Sequence, residues 1–157
     1  MINWGVIGLG NMSYRFINAI KEVKNTKLVS IASLSKKKSI DLIKELGINE
    51  SLYFNNYDDL IESPNVDAIY ISTLNNTHFH LIKKCASANK KILCEKPMVI
   101  NYIEAEKIFE FIEKNNVSFV EAFVYRHHKQ SQYLHDLIKR GEGGEIHKVE
   151  SSFGYKV

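Results

Sequence analysis

The chain has 157 residues, of which 45% are hydrophobic and 25% charged, with only 2 Pro and 8 Gly. This length fits one globular domain, and the composition excludes disordered, collagenous and fibrous classes. A net charge of +3 spread along the chain is too mild to indicate nucleic-acid binding by counterion release, so we expect no nucleic-acid partner.

Targeting and redox features favour the cytoplasm. No apolar run approaches the roughly 20 residues of a membrane span, and the N-terminus enters a strand pattern without the layout of a signal peptide. Cys85 and Cys94 are the only cysteines, too few for a disulfide framework or a four-ligand zinc site. We therefore predict a cytoplasmic protein with no membrane partner.

Short apolar runs rich in β-branched residues alternate with longer amphipathic stretches, which is typical of an α/β protein with a parallel sheet covered by helices. The predicted strands are residues 2–7, 27–32, 51–54, 67–72, 91–94, 117–121 and 146–153. A predicted helix over residues 11–23 follows the first strand. Ser35 can cap a second helix that ends at Gly47, and Asn101 with Glu104 forms a capping box ahead of another.

No repeat or flexible linker marks a domain boundary, so topology decides where it lies. Six strands have been completed near residue 123. We predict a first domain over residues 1–122, and residues 123–157 then supply the first helix and strand of a second α/β domain.

The first strand runs into Gly8-Leu9-Gly10-Asn11-Met12-Ser13, a G-x-G-x-x-S turn that opens a helix. Backbone amides and the helix dipole at such a turn can hold a pyrophosphate, and Ser13 is small enough to replace the usual third Gly or Ala. The alternative is a tight connection that needs glycine for its geometry alone. Its position directly after the first strand favours nucleotide binding.

The end of the second strand indicates which dinucleotide would bind. An Asp or Glu there would accept hydrogen bonds from the ribose of NAD, but Ser33 is followed by Lys36, Lys37 and Lys38 without an acid. Hydroxyl and ammonium groups suit the 2′-phosphate of NADP, which a carboxylate would repel. We predict NADP in preference to NAD. The alternative is that the three lysines form a solvated first helical turn.

The segment after the fourth strand also lies at the carboxyl edge of the sheet, where ligands bind in open α/β folds. Asn76 or Thr77 is predicted to cap the next helix, and His78 to lie near a cofactor. If His78 and His80 were metal ligands, a third ligand would be needed, and none is evident nearby. No metal site is predicted.

Cys94-Glu95-Lys96-Pro97, after the fifth strand, is the strongest chemical signal in the chain. A cis Lys96–Pro97 bond in a tight turn would direct the ammonium into the cleft. Partly desolvated beside a nicotinamide, this amine could hydrogen-bond a reacting hydroxyl or shuttle its proton. The alternative is a surface lysine in a turn. Cys94 is expected to be a buried strand thiol rather than a nucleophile.

The sixth strand leads into Glu121-Ala122-Phe123-Val124-Tyr125-Arg126-His127-His128. Arg126 and His127 could face the cleft, and Arg126 is a candidate cofactor ligand. The alternative for His127, His128 and His135 is a polar helix surface.

Taken in order, these motifs resemble the glucose-fructose oxidoreductase, inositol dehydrogenase and MocA family of NAD(P)-dependent sugar oxidoreductases. The resemblance rests on the glycine turn, the strand 66–71 followed by Asn76 and His78, Glu95-Lys96-Pro97, and the segment from Glu121 to His128. It implies a Rossmann-type doubly wound parallel sheet, followed by an α/β domain on an antiparallel sheet whose exposed face mediates homo-oligomers in full-length proteins.

The resemblance also implies a role for each matching residue. The pyrophosphate would be contacted by Gly8, Gly10, Asn11 and Met12, and the adenosine ribose by Ser33, Lys36, Lys37 and Lys38. The middle of the cofactor would lie along Thr73, Asn76 and His78. Its nicotinamide end would lie at Glu95 and Lys96. Lys96 would be the catalytic lysine in hydride transfer between nicotinamide and a hydroxyl-bearing carbon of a sugar, cyclitol or diol.

Family members are more than twice as long as this chain, and the acid/base residue that pairs with the lysine lies beyond its end. We therefore expect a truncated chain that binds cofactor but is catalytically incomplete. A non-catalytic nucleotide-binding or regulatory module is the alternative. Methyl transfer from S-adenosylmethionine would not explain Glu95-Lys96-Pro97.

Overall fold

The structure, a computed structural model, describes residues 1–46 and 49–154, without the side chains of residues 36–38 and 50. The chain divides into two compact units, Met1–Ala122 and Phe123–Val157. In the described residues, the first unit contains one sheet with five α-helices, and the second contains a short 3-10 helix followed by one α-helix. None of the helices that the structure describes has the length and apolarity needed to cross a membrane.

Six parallel strands form the sheet of the first unit. They are β1 (Ile2–Ile7), β2 (Thr26–Ala32), β3 (Tyr53–Phe54), β4 (Ala68–Ile71), β5 (Lys91–Cys94) and β6 (Phe119–Glu121). Their spatial order is β3-β2-β1-β4-β5-β6, which is the strand order of the Rossmann dinucleotide-binding fold. The α/β, doubly wound parallel sheet predicted from the sequence is confirmed.

Helices cover both faces of this sheet. They are α1 (Asn11–Lys21), α2 (Lys36–Glu45), α3 (Tyr57–Glu62), α4 (Asn75–Ser87) and α5 (Tyr102–Lys114), and the second unit contributes α6 (Lys129–Lys139). Successive strand residues point to opposite faces, so Val6 and Ile7 of β1 enter different cores. Each fully buried aliphatic side chain contributes about 1.5–3 kcal/mol to folding, so both faces of the sheet stabilise the fold.

One core lies under α3, α4 and α5, and the other under α1 and α2. Ile69, Ile71, Ile82 and Ile108 are fully buried members of the first, and Ile17, Ile31 and Ile43 are buried members of the second. Tyr70 stands out in the second core because its phenol is polar.

Some predicted helix ends agree with the structure. The Asn101 side chain accepts a 2.9 Å hydrogen bond from the backbone N–H of Glu104, as predicted for the start of α5. The Glu104 carboxylate accepts from Ile100 N–H rather than from Asn101 N–H. Ser35 occupies the N-cap of α2 but makes no side-chain capping bond, and Gly47, the predicted end of that helix, lies outside the described residues.

The cap predicted for α4 is wrong. The helix begins at Asn75 with Leu74 at the N-cap, so neither Asn76 nor Thr77 caps it. The Thr77 hydroxyl donates a 2.7 Å hydrogen bond back to Leu74 O, because the first helical turn places this hydroxyl beside the preceding carbonyl.

The strand predicted over residues 146–153 is also wrong, since this segment has no regular secondary structure. A strand forms only where its backbone groups pair with a neighbouring strand, and the sheet formed by the described residues consists of β1 to β6. The predicted strand at 51–54 is shortened for a local reason, because Glu50–Leu52 form a 3-10 turn.

Candidate functional site

The strand register aligns the carboxyl ends of all six strands in one row, formed by Phe54, Ala32, Ile7, Ile71, Cys94 and Glu121. Neighbouring strands lie about 4.8 Å apart, so the ends of β1 and β5 are separated by about 10 Å. Gly8, Ser33, Ser72 and Glu95 each come directly after a member of this row. The fold therefore brings the candidate residues of four strands to one edge.

Gly8 makes the turn out of β1 and can only be glycine. Its φ is +85°, and a Cβ atom there would lie 2.7 Å from the backbone oxygen of Ser72. Gly8 N–H donates to Ala32 O at 2.9 Å, and the Ser72 hydroxyl donates to Gly8 O at 2.9 Å. These contacts hold the glycine turn against both neighbouring strands.

The first turn of α1 offers an open cradle of backbone N–H groups. A Cβ atom at Gly10 would meet nothing within 4 Å, and Asn11 and Met12 are exposed with no described acceptor for their N–H groups. The Ser13 hydroxyl, fully buried, accepts from Gly10 N–H and donates to Gly10 O, both at 2.7 Å. The cradle fits a phosphate group, which binds N–H donors at a helix N-terminus.

A groove of about 540 Å³ adjoins this cradle and is lined by Leu9, Gly10, Asn11, Tyr14, Leu42 and Glu45. At the end of β2, Ser33 is nearly buried, and its hydroxyl accepts a 3.2 Å hydrogen bond from Ser35 N–H. The side chains of Lys36, Lys37 and Lys38 lie outside the described part of the structure, so their contact with a phosphate stays a prediction.

The loop after β4 packs against the glycine turn. The methyl group of Thr73 lies 2.8 Å from the position that a Cβ at Gly8 would take, and its hydroxyl is 2.6 Å from the Thr77 hydroxyl. Asn76 is exposed on the first turn of α4. Thr73 and Asn76 are thus placed at the edge where the sequence predicted them.

The position of His78 corrects the prediction that it lies along a cofactor. Its side chain is fully buried, and its two ring nitrogens lie 2.9 Å from Pro97 O and 3.2 Å from Thr73 O. The ring has no exposed surface with which to contact a ligand. It joins two backbone segments of the site.

The loop after β5 carries Lys96. The Lys96–Pro97 peptide bond is cis, as predicted. The lysine side chain is exposed, and no described residue accepts a hydrogen bond or ion pair from its ammonium. The amine is therefore open to a ligand bound at this edge, and its desolvation beside a nicotinamide stays a prediction.

Two carboxylates anchor the same loop. Glu95 Oε1 accepts a 2.6 Å hydrogen bond from the Tyr70 hydroxyl, and Glu121 Oε1 accepts a 2.8 Å hydrogen bond from Met98 N–H. Burial and the bond to Glu95 raise the pKa of Tyr70 far above its ordinary value near 10, so the phenol keeps its proton and remains a donor. No partner of the Lys96 ammonium lies among the described residues, whereas Glu95 and Met98 on either side of it are held by hydrogen bonds.

Sequence reasoning missed the contributions of Tyr70 and Ser72 and the anchoring role of Glu121. The sequence could have indicated that Tyr70 makes a buried hydrogen bond, because a phenol in the buried strand Ala68–Ile71 needs a partner. It also stacks on Phe16 of α1 with ring centroids 4.2 Å apart.

Cys94 is a fully buried strand thiol, as predicted. Burial, followed by repulsion from Glu121 and Glu95, raises the pKa of Cys94 well above its ordinary value, which leaves it unreactive. Arg126 is exposed in the second unit, on the 3-10 helix Val124–His127, and its contact with a cofactor stays a prediction. Within the described ranges, no three His, Cys, Asp or Glu side chains are grouped to hold a metal ion.

Comparison with known proteins identifies the family. Residues 2–123 match the model of the GFO_IDH_MocA oxidoreductase family, described as having an NAD-binding Rossmann fold. The chain belongs to this family. The resemblance inferred from the glycine turn and Glu95-Lys96-Pro97 is thereby confirmed.

The similar proteins include dehydrogenases of cyclitols and sugars. The chain is 29% identical to myo-inositol 2-dehydrogenase of Thermotoga maritima over 91% of its own length and 42% of the relative. It is 25% identical to D-xylose 1-dehydrogenase (NADP(+)) 2 of Haloferax volcanii over 98% of its length and 46% of the relative. The chain spans less than half of each.

A solved structure shows the same fold with ligands bound. Scyllo-inositol dehydrogenase of Lactobacillus casei, crystallised with NAD(H) and scyllo-inositol, matches with a TM-score of 0.83 and 25% identity. The match covers 93% of this chain and 43% of that one.

Proposed function

We propose that this chain is the cofactor-binding part of an NAD(P)-dependent dehydrogenase acting on a hydroxyl-bearing carbon of a sugar, cyclitol or diol. The observation that carries the proposal is the shared sheet edge, where an open N–H cradle at Gly10 and the anchored loop of Lys96 lie two strands apart. The family relatives named as inositol and xylose dehydrogenases support this substrate class.

The described residues fit a dinucleotide laid along this edge. The N–H groups of Asn11 and Met12 would bind the pyrophosphate, as the open cradle at Gly10 allows. Ser33 would lie at the adenosine ribose, Thr73 and Asn76 along the chain of the cofactor, and Glu95 and Lys96 at its nicotinamide end. When bound, the nicotinamide supplies the site that accepts or donates hydride.

Lys96 would hold the reacting oxygen of the substrate. As the ammonium, this side chain would donate a hydrogen bond to that oxygen and give it a proton when a carbonyl is reduced. As the neutral amine, it would receive the proton when a hydroxyl is oxidised. The anchors at Glu95 and Met98 keep the backbone of this lysine in place, so its amine is presented to the ligand with little reorganisation.

We further propose that residues 123–157 begin a second domain that completes the substrate site. In the second unit, α6 exposes Tyr133, Leu134 and Ile138, and an apolar face of this kind is typical of a helix that packs on further structure. Substrate contacts, the base that partners Lys96, and any homo-oligomer would then belong to a longer protein. The chain by itself would bind cofactor and turn over slowly.

NADP is proposed as the preferred cofactor. The support is the absence of an acid in residues 32–38 and the run of three lysines at the start of α2. The relatives include both classes, since the xylose dehydrogenase is named for NADP and the scyllo-inositol dehydrogenase structure holds NAD(H).

The test is a fluorescence titration of the chain with NADPH and with NADH. NADPH should bind about tenfold more tightly, since one ionic contact to a phosphate contributes about 1.4 kcal/mol or more. Lys36→Glu should remove this preference, whereas the control Lys44→Glu, in the last turn of the same helix, should retain it. Equal affinities would overturn the NADP preference alone, and undetectable binding of both would overturn the proposed function.

A further inference from the structure

His78 lies between the two loops that the proposed function assigns to the two halves of the cofactor. It projects from the first turn of α4, and both of its ring nitrogens face backbone carbonyl oxygens, Pro97 O at 2.9 Å and Thr73 O at 3.2 Å. A carbonyl oxygen only accepts hydrogen bonds, so at least one ring N–H must be donated to one of these loops. The ring is fully buried, where water cannot replace a lost bond.

Each end of this bridge leads to a different part of the site. Thr73 contacts the glycine turn, since its methyl group lies 2.8 Å from the Cβ position at Gly8. Pro97 directly follows Lys96. One imidazole therefore spans from the loop that packs on the pyrophosphate turn to the loop that carries the lysine.

We propose that His78 is a positioning residue, which fixes the Lys96 loop at a set distance from the glycine turn; this role rests on the proposed function. Glu95 and Met98 are anchored to Tyr70 and Glu121 on either side of the loop. Backbone pairing of Glu95 N–H with Ile71 O joins this loop to the end of β4, and His78 adds a side-chain connection from the start of α4 to Pro97. Small displacements of a catalytic group are costly to function.

The test distinguishes effects on binding of the adenosine half of the cofactor from effects on binding of its nicotinamide half. ADP-ribose carries the pyrophosphate and adenosine but no nicotinamide, so its affinity depends on contacts at the glycine turn. The affinity for NADPH also depends on contacts at the loop of Lys96. In His78→Phe, which fills the same space without hydrogen bonds, NADPH should bind about tenfold more weakly, the loss expected for one buried hydrogen bond. ADP-ribose should bind within about twofold of the original chain. His78→Gln, which retains a donor, should recover part of the NADPH affinity.

His80→Phe is the matched control, because His80 is an exposed residue on the same helix. It should leave both affinities unchanged. Unchanged NADPH binding in a folded His78→Phe protein would overturn the proposal, and so would an equal loss for both ligands, which would mean that His78 supports the whole fold. If His78→Phe does not fold, the affinities of His78→Gln for NADPH and ADP-ribose test the proposal instead. A loss confined to NADPH supports the positioning role, and an equal change for both ligands overturns it. If the original chain binds neither ligand, the proposed function itself has failed.

Discussion

The hydroxyl of Tyr70 donates a 2.6 Å hydrogen bond to Glu95, which connects a buried strand of the sheet to the loop that carries Lys96. Tyr70 is only 2% exposed and is stacked on Phe16 of α1, so its hydroxyl has little freedom. The core of the protein thus sets the direction of the Glu95 carboxylate. Glu95 is positioned before any ligand binds.

Removing this hydroxyl should loosen the loop. Tyr70→Phe keeps the ring stack and deletes the bond, so we expect about 1 kcal/mol less free energy of unfolding in urea. NADPH should also bind more weakly while ADP-ribose is unaffected. Tyr133→Phe, at an exposed tyrosine of α6, is the control and should change neither quantity. If Tyr70→Phe matches the original chain in both measurements, the bond has no role in placing the loop.

Gly8 and Gly10 should respond differently to alanine. Gly8→Ala places a Cβ at a positive φ and against the Ser72 carbonyl, which should cost about 1–3 kcal/mol of folding free energy. Gly10 has a φ of −138°, which any residue adopts, and its Cβ position is empty, so Gly10→Ala should change stability by less than about 0.5 kcal/mol.

The methyl group of Gly10→Ala would nevertheless stand where a pyrophosphate must approach the backbone. ADP-ribose binding should therefore weaken about tenfold or more, which corresponds to about 1.4 kcal/mol. Urea unfolding and ligand titration on the two variants measure both effects. A stable Gly10→Ala protein with full ADP-ribose affinity would show that the cradle does not hold the pyrophosphate.

Stability should decline at alkaline pH because of buried thiols. Burial raises the pKa of Cys85 from 9.0 to about 12, so above pH 9 the unfolded chain loses a proton that the folded chain keeps. The contribution of this thiol to stability is complete below about pH 9 and is lost progressively toward pH 12. The loss of unfolding free energy reaches about 2 kcal/mol near pH 10.5. Cys85→Ala should show a correspondingly smaller decline between about pH 7.5 and 10.5 in urea unfolding under reducing conditions. An identical decline in both proteins would contradict the assigned cause.

Features that depend on neighbouring residues in the chain could be predicted from the sequence. Gly8 follows from the geometry of a tight turn, and the Asn101 cap acts over three residues. The parallel α/β sheet followed from the alternation of helices and strands, whereas the spatial order of its strands was not read from that pattern. The prediction of a strand at residues 146–153 was wrong, because a strand requires a partner strand and a period-two pattern does not reveal whether one is present.

The hydrogen bonds that connect the loops of the site also could not be predicted from the sequence. His78 reaches Pro97 across 19 residues, and Tyr70 reaches Glu95 across 25. Such contacts arise from the packing of α4 and β4 against β5, which no local pattern encodes. The same histidine was consequently predicted to face the cofactor, whereas burial places it behind the loops.

We propose that Lys96 and a bound nicotinamide share one crevice at this edge of the sheet. Nuclear Overhauser effects between bound NADPH and the isotope-labelled chain would detect this proximity. We predict contacts from the nicotinamide ring protons to the side chains of Lys96 or Pro97, and from the adenosine protons to the region of Ser33. Nicotinamide contacts at Ser33, with the adenosine at Lys96, would contradict the account.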